Sequence, residues 1–167
     1  VLDSGIDDTH PDLAGRLLPA ADLIDDGLTG DPFGHGTRIA GIIAGVMDGA
    51  GIAGAASGVR ILPVRVLAAD GEGDQNRTAR GIRAAVAVMR PQRSGSIVLT
   101  ASVSGLTAWS HAAPYCATKA AVIQLAKVAA VEYARDGIRV NCVCPGTFRS
   151  AIHDGLPPDA LDAIEAR

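Results

Sequence analysis

Apolar residues recur along the chain with two spacings, one typical of β-strands and the other of α-helices. Short apolar or alternating segments predict strands at Val1–Leu2, Val59–Leu67, Ser96–Thr100 and Arg139–Cys144, the third of them buried on both faces. Helical spacing predicts helices from His35 to about Val46, from Asn76 to Met89 and from Ala112 to Tyr133, with a short acidic helix from Pro158. The chain therefore alternates strands with helices.

Strands that alternate with helices through short connections favour a parallel sheet wrapped by helices. The predicted fold class is α/β: a three-layer α/β/α sandwich with a mostly parallel, Rossmann-like sheet. Asp7–Gly34 is rich in Asp, Gly and Pro, which predicts a loop with one short element near Leu23–Ile24. Pro91–Gly95 is the one segment that resembles a linker, and it separates residues 1–90 from residues 91–167.

Composition excludes several classes of protein. Of the 167 residues, 48% are hydrophobic and 20% are charged, an ordinary globular balance that argues against disorder. The net charge of -3 and the lack of a basic stripe argue against a nucleic-acid partner. No apolar run approaches the roughly 20 residues of a membrane helix, so we expect no membrane span.

The three cysteines are Cys116, Cys142 and Cys144. Cys142 and Cys144 would lie two apart on one strand, and such same-face neighbours rarely form a disulfide. No second pair of ligands accompanies them, so we expect packing roles and no metal site. The lack of a disulfide framework and of a recognisable signal peptide favours the cytoplasm. Since the chain begins at Val1 inside a strand-like segment, we expect a processed or excised piece.

The first half carries three motifs in a fixed order. They are VLDSGID with HPDL at residues 1–13, GHGTRIAG at residues 34–41, and GIAG leading to RILPVRVL at residues 51–67. From residue 1 to about 89 the chain thus resembles the subtilisin-like serine proteases. The resemblance implies that Asp3 orients His35 and that His35 acts as the general base. Taken alone, Asp3 is equally typical of a turn before glycine, and His35 of a polar group at a helix N-terminus.

The serine-protease site is incomplete. The nucleophile of that family lies in a Gly-Thr-Ser motif, which is missing here, as is the segment with the Asn that stabilises the oxyanion. The substitute nucleophiles would be Ser102, Ser104 or Cys116. Without a hydroxyl held against the imidazole, we expect no efficient peptidase activity.

The second half carries a different set of motifs. They are GSIVLTAS at residues 95–102, YCATK at residues 115–119 and GIRVNCVCPG at residues 137–146. From about residue 94 to 167 they resemble the second half of a short-chain dehydrogenase/reductase. A helix places Tyr115 and Lys119 on one face, and a neighbouring ammonium stabilises a phenolate, so Tyr115 is a candidate general acid or base. Taken alone, this pair is also typical of an ordinary helix surface.

The resemblance implies further roles and a cofactor, NAD or NADP. Ser102 would bind a substrate carbonyl, and the cofactor would be bordered by Tyr115, Lys119, Pro145, Gly146 and Ser150. However, neither Gly34–Gly36 nor Gly71–Gly73 completes the Gly-x-Gly-x-x-Gly turn that holds the pyrophosphate, and the Asn of the family's proton relay is missing. We therefore expect NAD(P) to bind weakly or not at all.

Together the motifs predict a hybrid of two incomplete α/β halves, joined between about Val88 and Ser96. Because both families have doubly wound parallel sheets, we expect one merged sheet, incomplete relative to either family. Three functions stay open: a hybrid without efficient turnover, which we favour; a reductase whose cofactor site is rebuilt or supplied by a partner; and a protease fragment with a substitute nucleophile. The helix over residues 112–133 is the expected surface for a homo-oligomer. The substrate, a small molecule or a peptide, is left open.

Overall fold

The computed structural model describes residues 1–146, so the predicted cofactor residue Ser150 and the helix predicted from Pro158 lie outside the described residues. Its contacts divide the chain into two compact units, Val1–Val88 and Met89–Arg167. In chain order the elements are β1 (Leu2–Asp3), β2 (Ala21–Asp22), α1 (His35–Ala44), β3 (Val64–Arg65), α2 (Gln75–Gln92), β4 (Gly95–Thr100), α3 (Ala113–Tyr133) and β5 (Ile138–Val143). Every strand pairing within residues 1–146 is parallel, so the predicted α/β class is confirmed.

The first unit contains a three-stranded sheet in the order β1-β3-β2, with Leu2 and Ala21 both opposite Val64. The long strand predicted over Val59–Leu67 is wrong, since β3 covers two residues and Ile61 forms a separate bridge with Leu17. Pro63 lies between the bridge and β3, and a proline has no N–H to donate to a ladder. The short element predicted near Leu23–Ile24 lies just upstream, as β2.

The core of this unit is built around small residues of α1. Ala40 and Ala44 are fully buried against Ile6, Leu13 and Ile61. The larger side chain of Ile42, on the same helix, is 57% exposed. A face of Ala and Gly lets the helix approach its neighbours closely, and this close packing explains why the smaller side chains are the buried ones.

Arg65 of β3 is a buried cation that ties the loop after β2 to the sheet. Its guanidinium donates to the carboxylates of Asp22 and Asp26 and to the carbonyl of Leu28, at distances of 2.7 to 3.1 Å. The hydrogen bonds and charge of Asp26 and Asp22 raise the pKa of Arg65 despite its burial. Arg65 therefore has a structural role.

The second unit contains a two-stranded sheet in which Gly95 of β4 lies opposite Ile138 of β5. Helix α3 packs on this sheet through Ala126 and Ala129. The prediction that β4 is buried on both faces is wrong, because burial alternates along the strand and Val98 is 59% exposed. This alternation is typical of a sheet with one covered face.

The prediction about the linker between the halves is also wrong. The predicted linker Pro91–Gly95 is largely structured, because α2 continues through Pro91 to Gln92 and β4 begins at Gly95. Within residues 1–146 the first unit has a three-stranded sheet and the second a two-stranded sheet. Strands of two residues offer few ladder hydrogen bonds, whereas β4 and β5 pair with each other along six residues each.

Candidate functional site

The structure brings Asp3 and His35 together. Asp3 ends β1 and His35 begins α1, and Nδ1 of His35 lies 2.8 and 2.9 Å from the two carboxylate oxygens. The Asp3 side chain is 12% exposed and the His35 side chain 49% exposed. A buried carboxylate thus holds an imidazole whose other edge faces solvent, as in the first two members of a Ser-His-Asp triad.

Two glycines allow the end of β1 and the start of α1 to approach each other. A Cβ on Gly36 would collide with the carbonyl oxygen of Gly5 and would lie 3.1 Å from Cβ of Asp3. Gly5 itself has a φ of 109°, and a Cβ there would collide with the carbonyl oxygen of Gly30. The short distance between Asp3 and His35 therefore depends on the absence of side chains at these positions.

Asp31 organises this site, although the sequence prediction did not include it. Its Oδ1 accepts from Ser4 Oγ (2.6 Å) and Gly34 N (2.8 Å), and its Oδ2 accepts from Thr37 N (2.8 Å) and Thr37 Oγ1 (2.6 Å). Burial raises the pKa of Asp31. The hydrogen bonds from Ser4, Thr37 and Gly34 together lower it by a larger amount, so this pKa lies below its ordinary value. The loop at residues 7–34 holds several other aspartates, so no signal in the sequence singled out Asp31.

The two hydroxyl groups next to His35 in this network are both engaged. Ser4 Oγ donates to Asp31 and accepts from the Gly36 amide at 3.0 Å, and Ser4 is fully buried. Thr37 Oγ1 donates to Asp31 and accepts from the Asp7 amide at 2.9 Å. Neither hydroxyl is free to act as the missing nucleophile.

The N-termini of α1 and α2 test whether the first unit fits the pyrophosphate of NAD(P). A helix N-terminus binds phosphate through free amides and a positive dipole. At α1 the amides of Gly34 and Thr37 donate to Asp31. At α2 the amides of Asn76 and Arg77 donate to the Asp74 carboxylate at 2.8 and 2.9 Å. Both termini therefore already hold an anion, and the residues present do not fit a pyrophosphate.

In the second unit Tyr115 and Lys119 lie together on α3. Lys119 Nζ is 5.7 Å from the centre of the Tyr115 ring and donates to the carbonyl of Thr100 at 3.4 Å. Tyr115 is 51% exposed. The ammonium therefore faces the phenol ring and the end of β4.

Ser102 follows β4 but is not bonded to Tyr115. Its hydroxyl donates to Ser104 Oγ at 3.2 Å and accepts from the Ser104 amide at 3.1 Å. Among the hydrogen bonds of residues 1–146, none joins the hydroxyls of Ser102 and Tyr115. The Ser102 hydroxyl is instead engaged within the turn that follows β4.

The segment after Ser102 is nevertheless positioned by α3 and by the end of β5. A Cβ on Gly105 would lie 2.8 Å from the backbone carbon of Lys119, so this turn packs directly on the helix backbone. The Val103 amide donates to the carbonyl of Pro145 at 2.9 Å. Ser102, Lys119 and Pro145 therefore surround the carboxyl end of the β4–β5 pair, the edge at which parallel sheets bind ligands.

The three cysteines are free thiols, each half-buried. Burial, followed by the neighbouring Cys144, raises the pKa of the Cys142 thiol. No group of three or more potential metal ligands occurs among the residues that the structure describes. Within the same range, no helix is long and apolar enough to cross a membrane.

Comparison with known proteins gives two sets of relatives. An inactive 2-(S)-hydroxypropyl-CoM dehydrogenase 2 of Xanthobacter autotrophicus is 37% identical over 153 residues, which are 88% of this chain and 64% of that protein. Thermitase of Thermoactinomyces vulgaris is 43% identical over 84 residues, which are 49% of this chain and 30% of that protein. The chain thus spans less than two thirds of the length of these relatives.

Among solved structures, an oxidoreductase of the short-chain dehydrogenase/reductase family from Burkholderia thailandensis matches with a TM-score of 0.49 and 37% identity, over 56% of this chain and 37% of that one. The family model described as Enoyl-(Acyl carrier protein) reductase matches residues 35–167. Only the first 34 residues lie outside this match, so the 84-residue thermitase alignment overlaps it. Because the family match covers most of the chain, this protein belongs to the short-chain dehydrogenase/reductase family.

Proposed function

We propose that this chain joins a subtilase-like segment to the second half of a short-chain dehydrogenase/reductase, and that it turns over neither peptides nor NAD(P)-linked substrates efficiently. The similarity of 84 residues to thermitase supports the subtilase-like segment. The family match over residues 35–167 supports the oxidoreductase segment.

The position of the Asp31 carboxylate is the main observation that supports the proposed lack of turnover. It occupies the amides at the N-terminus of α1, where a pyrophosphate would compete with it. It also accepts from the hydroxyls of Ser4 and Thr37, the hydroxyls that this network holds next to His35. A single side chain thus opposes both cofactor binding and the activation of a local nucleophile.

Calorimetric titration with NAD⁺, NADH, NADP⁺ and NADPH tests the cofactor half of the proposal. We expect dissociation constants weaker than about 1 mM, a binding free energy no better than roughly -4 kcal/mol. A micromolar constant that is lost in Lys119→Ala, but kept in the control Lys127→Ala on the same helix, would contradict the proposal.

A fluorogenic peptide assay tests the proposed lack of peptidase activity. Peptide hydrolysis that disappears in His35→Ala would contradict the proposal.

The arrangement at the end of β4 favours a second candidate, a reductase that obtains its cofactor site from a partner chain. Lys119 already faces Tyr115, and Val103 already binds Pro145. The same titration, repeated with the chain in an extract of its source cells, separates the two candidates. Tight cofactor binding that appears only in the extract, and that is lost in Lys119→Ala, favours the reductase.

A further inference from the structure

The hydrogen bond to Asp3 fixes the position of the proton on the neutral His35 ring. An ionised carboxylate can only accept, so Nδ1 must carry the hydrogen that lies between the ring and Asp3. The lone pair of the neutral ring is then on Nε2. Nε2 has no hydrogen-bond partner within residues 1–146, and the side chain is 49% exposed. His35 therefore offers a nucleophilic nitrogen to the solvent.

His10 provides an internal contrast in the same unit. Its Nδ1 accepts a hydrogen bond from the Asp12 amide at 3.2 Å. The neutral ring must then carry its hydrogen on Nε2. The lone pair of Nδ1 is already engaged by the Asp12 amide, so this ring has no free lone pair. Two histidines of one unit are thus held in opposite tautomers, and only that of His35 exposes a lone pair.

The surroundings of His35 favour a reaction of the ring itself. The hydroxyls of Ser4 and Thr37 are tied to Asp31 and cannot accept an acyl group in its place. A cleft of about 590 Å³ in this unit is lined by residues such as Leu13, Leu18 and Arg65 and does not include Asp3 or His35. A reactant reaches His35 through the exposed edge of its ring.

We propose that Nε2 of His35 is a nucleophile that accepts acyl groups from aryl esters of short carboxylic acids. Nε2 attacks the ester carbonyl, the bond between the acyl carbon and the aryl oxygen breaks, and the aryl oxide leaves with its electron pair. Asp3 stabilises the positive acyl-imidazolium through the Nδ1 hydrogen. Water then attacks the acyl carbon and loses one proton to the solvent. The bond between the acyl carbon and Nε2 breaks, its electron pair returns to Nε2, and the carboxylic acid is released.

This activity goes beyond the proposed function and is compatible with it. An aryl oxide is a far better leaving group than the amine of a peptide, which must be protonated as it departs. An imidazole without a serine can therefore acylate itself with an aryl ester and still leave peptides intact. The chemistry needs no cofactor, so the outcome of the NAD(P) titration does not bear on it.

The experiment treats the full chain with 4-nitrophenyl acetate at neutral pH, follows the release of nitrophenolate, and follows the acetylation of His35 and His10 through their imidazole NMR signals. We expect acetylation of His35 to be at least about tenfold faster than that of His10, because tautomer control in a complete triad is worth up to about 10⁴ in rate. This comparison between two rings of the unaltered protein requires no variant to fold.

Two variants then assign the effect to Asp3. Asp3→Asn presents an amide that can donate to Nδ1, which moves the ring hydrogen to Nε2, and we expect the His35 acetylation rate to fall by roughly tenfold or more. His10→Gln leaves the nitrophenolate rate unchanged. Equal acetylation of His10 and His35, or an Asp3→Asn protein that is folded by circular dichroism and reacts at the original rate, would overturn the proposal.

Discussion

Asp31 illustrates how one side chain can hold a site together without belonging to its chemistry. Its four hydrogen bonds join Ser4, which follows β1, to Gly34 and Thr37 at the start of α1. The sequence predicted Asp3 and His35 because both lie in motifs, and the structure brings them together. It did not predict Asp31, because an aspartate in a loop rich in Asp and Gly has no motif of its own, and its three partner residues are defined only by the fold.

Replacing Asp31 with Asn should destabilise the protein in a pH-dependent way. The amide nitrogen of Asn would face the donors of Thr37 or Ser4, at a cost of about 2 kcal/mol at pH 7. Because the folded pKa of Asp31 lies below the ordinary value of 3.8, its stabilisation is present above that value and is lost as the pH falls through the folded pKa. Urea unfolding at pH 7 and below pH 3.8 measures the difference in the free energy of unfolding between the two proteins.

The control for this prediction is Asp70→Asn. Asp70 is exposed and accepts one hydrogen bond, from the Glu72 amide. We expect a change below about 0.5 kcal/mol at either pH. A constant difference between the Asp31→Asn protein and the original, from neutral pH to below pH 3.8, would show that the charge of Asp31 is irrelevant.

At the scale of elements, helices were predicted better than strands. The long helix α3 and the start of α1 follow from helical spacing and from the turn residues before them. The strand predicted over Val59–Leu67 and the linker predicted at Pro91 were wrong because both arguments rested on local composition. Tertiary contacts decide how many residues of an apolar segment pair, and a helix with enough contacts continues past a proline near its end.

The two glycines of α1 give a matched test of the approach between β1 and α1. Gly36→Ala places a Cβ against the carbonyl oxygen of Gly5, and we expect a loss of about 1–3 kcal/mol. Gly41 has no atom within 4 Å of a Cβ position, so Gly41→Ala should stabilise the helix by up to about 1 kcal/mol. Thermal unfolding measures both, and imidazole NMR signals should report loss of the Asp3–His35 bond in Gly36→Ala alone. Equal unfolding temperatures for both variants would contradict this account.

At the scale of the whole molecule, the alternation of strands and helices predicted the α/β class. It could not predict which strands pair with each other, because strands with the same hydrophobic pattern are equally suitable partners. The sequence also could not tell that the long helix α3 leaves Val131 80% exposed and Val128 44% exposed. We propose that this outer face of α3 joins two copies of the chain.

The variant Val131→Asp tests this association. In a symmetric dimer two introduced carboxylates would face each other across the interface, so we expect a shift from dimer to monomer in sedimentation velocity. Val59→Asp, an exposed valine of the first unit, serves as the control and should leave the sedimentation coefficient unchanged. A protein that sediments as a monomer without any substitution would show that α3 carries no such interface.

The boundary between the two units falls at Val88 and Met89, inside the continuous helix α2. Helical hydrogen bonds join main-chain groups four residues apart, and these groups are the same in every sequence. A genetic crossover within a helix therefore keeps its hydrogen bonds whichever gene supplies the remainder. A crossover within a strand would instead require the incoming segment to find a partner in the correct register. Among the possible points of recombination between two α/β genes, a position inside a helix is thus one at which the new chain loses few backbone contacts.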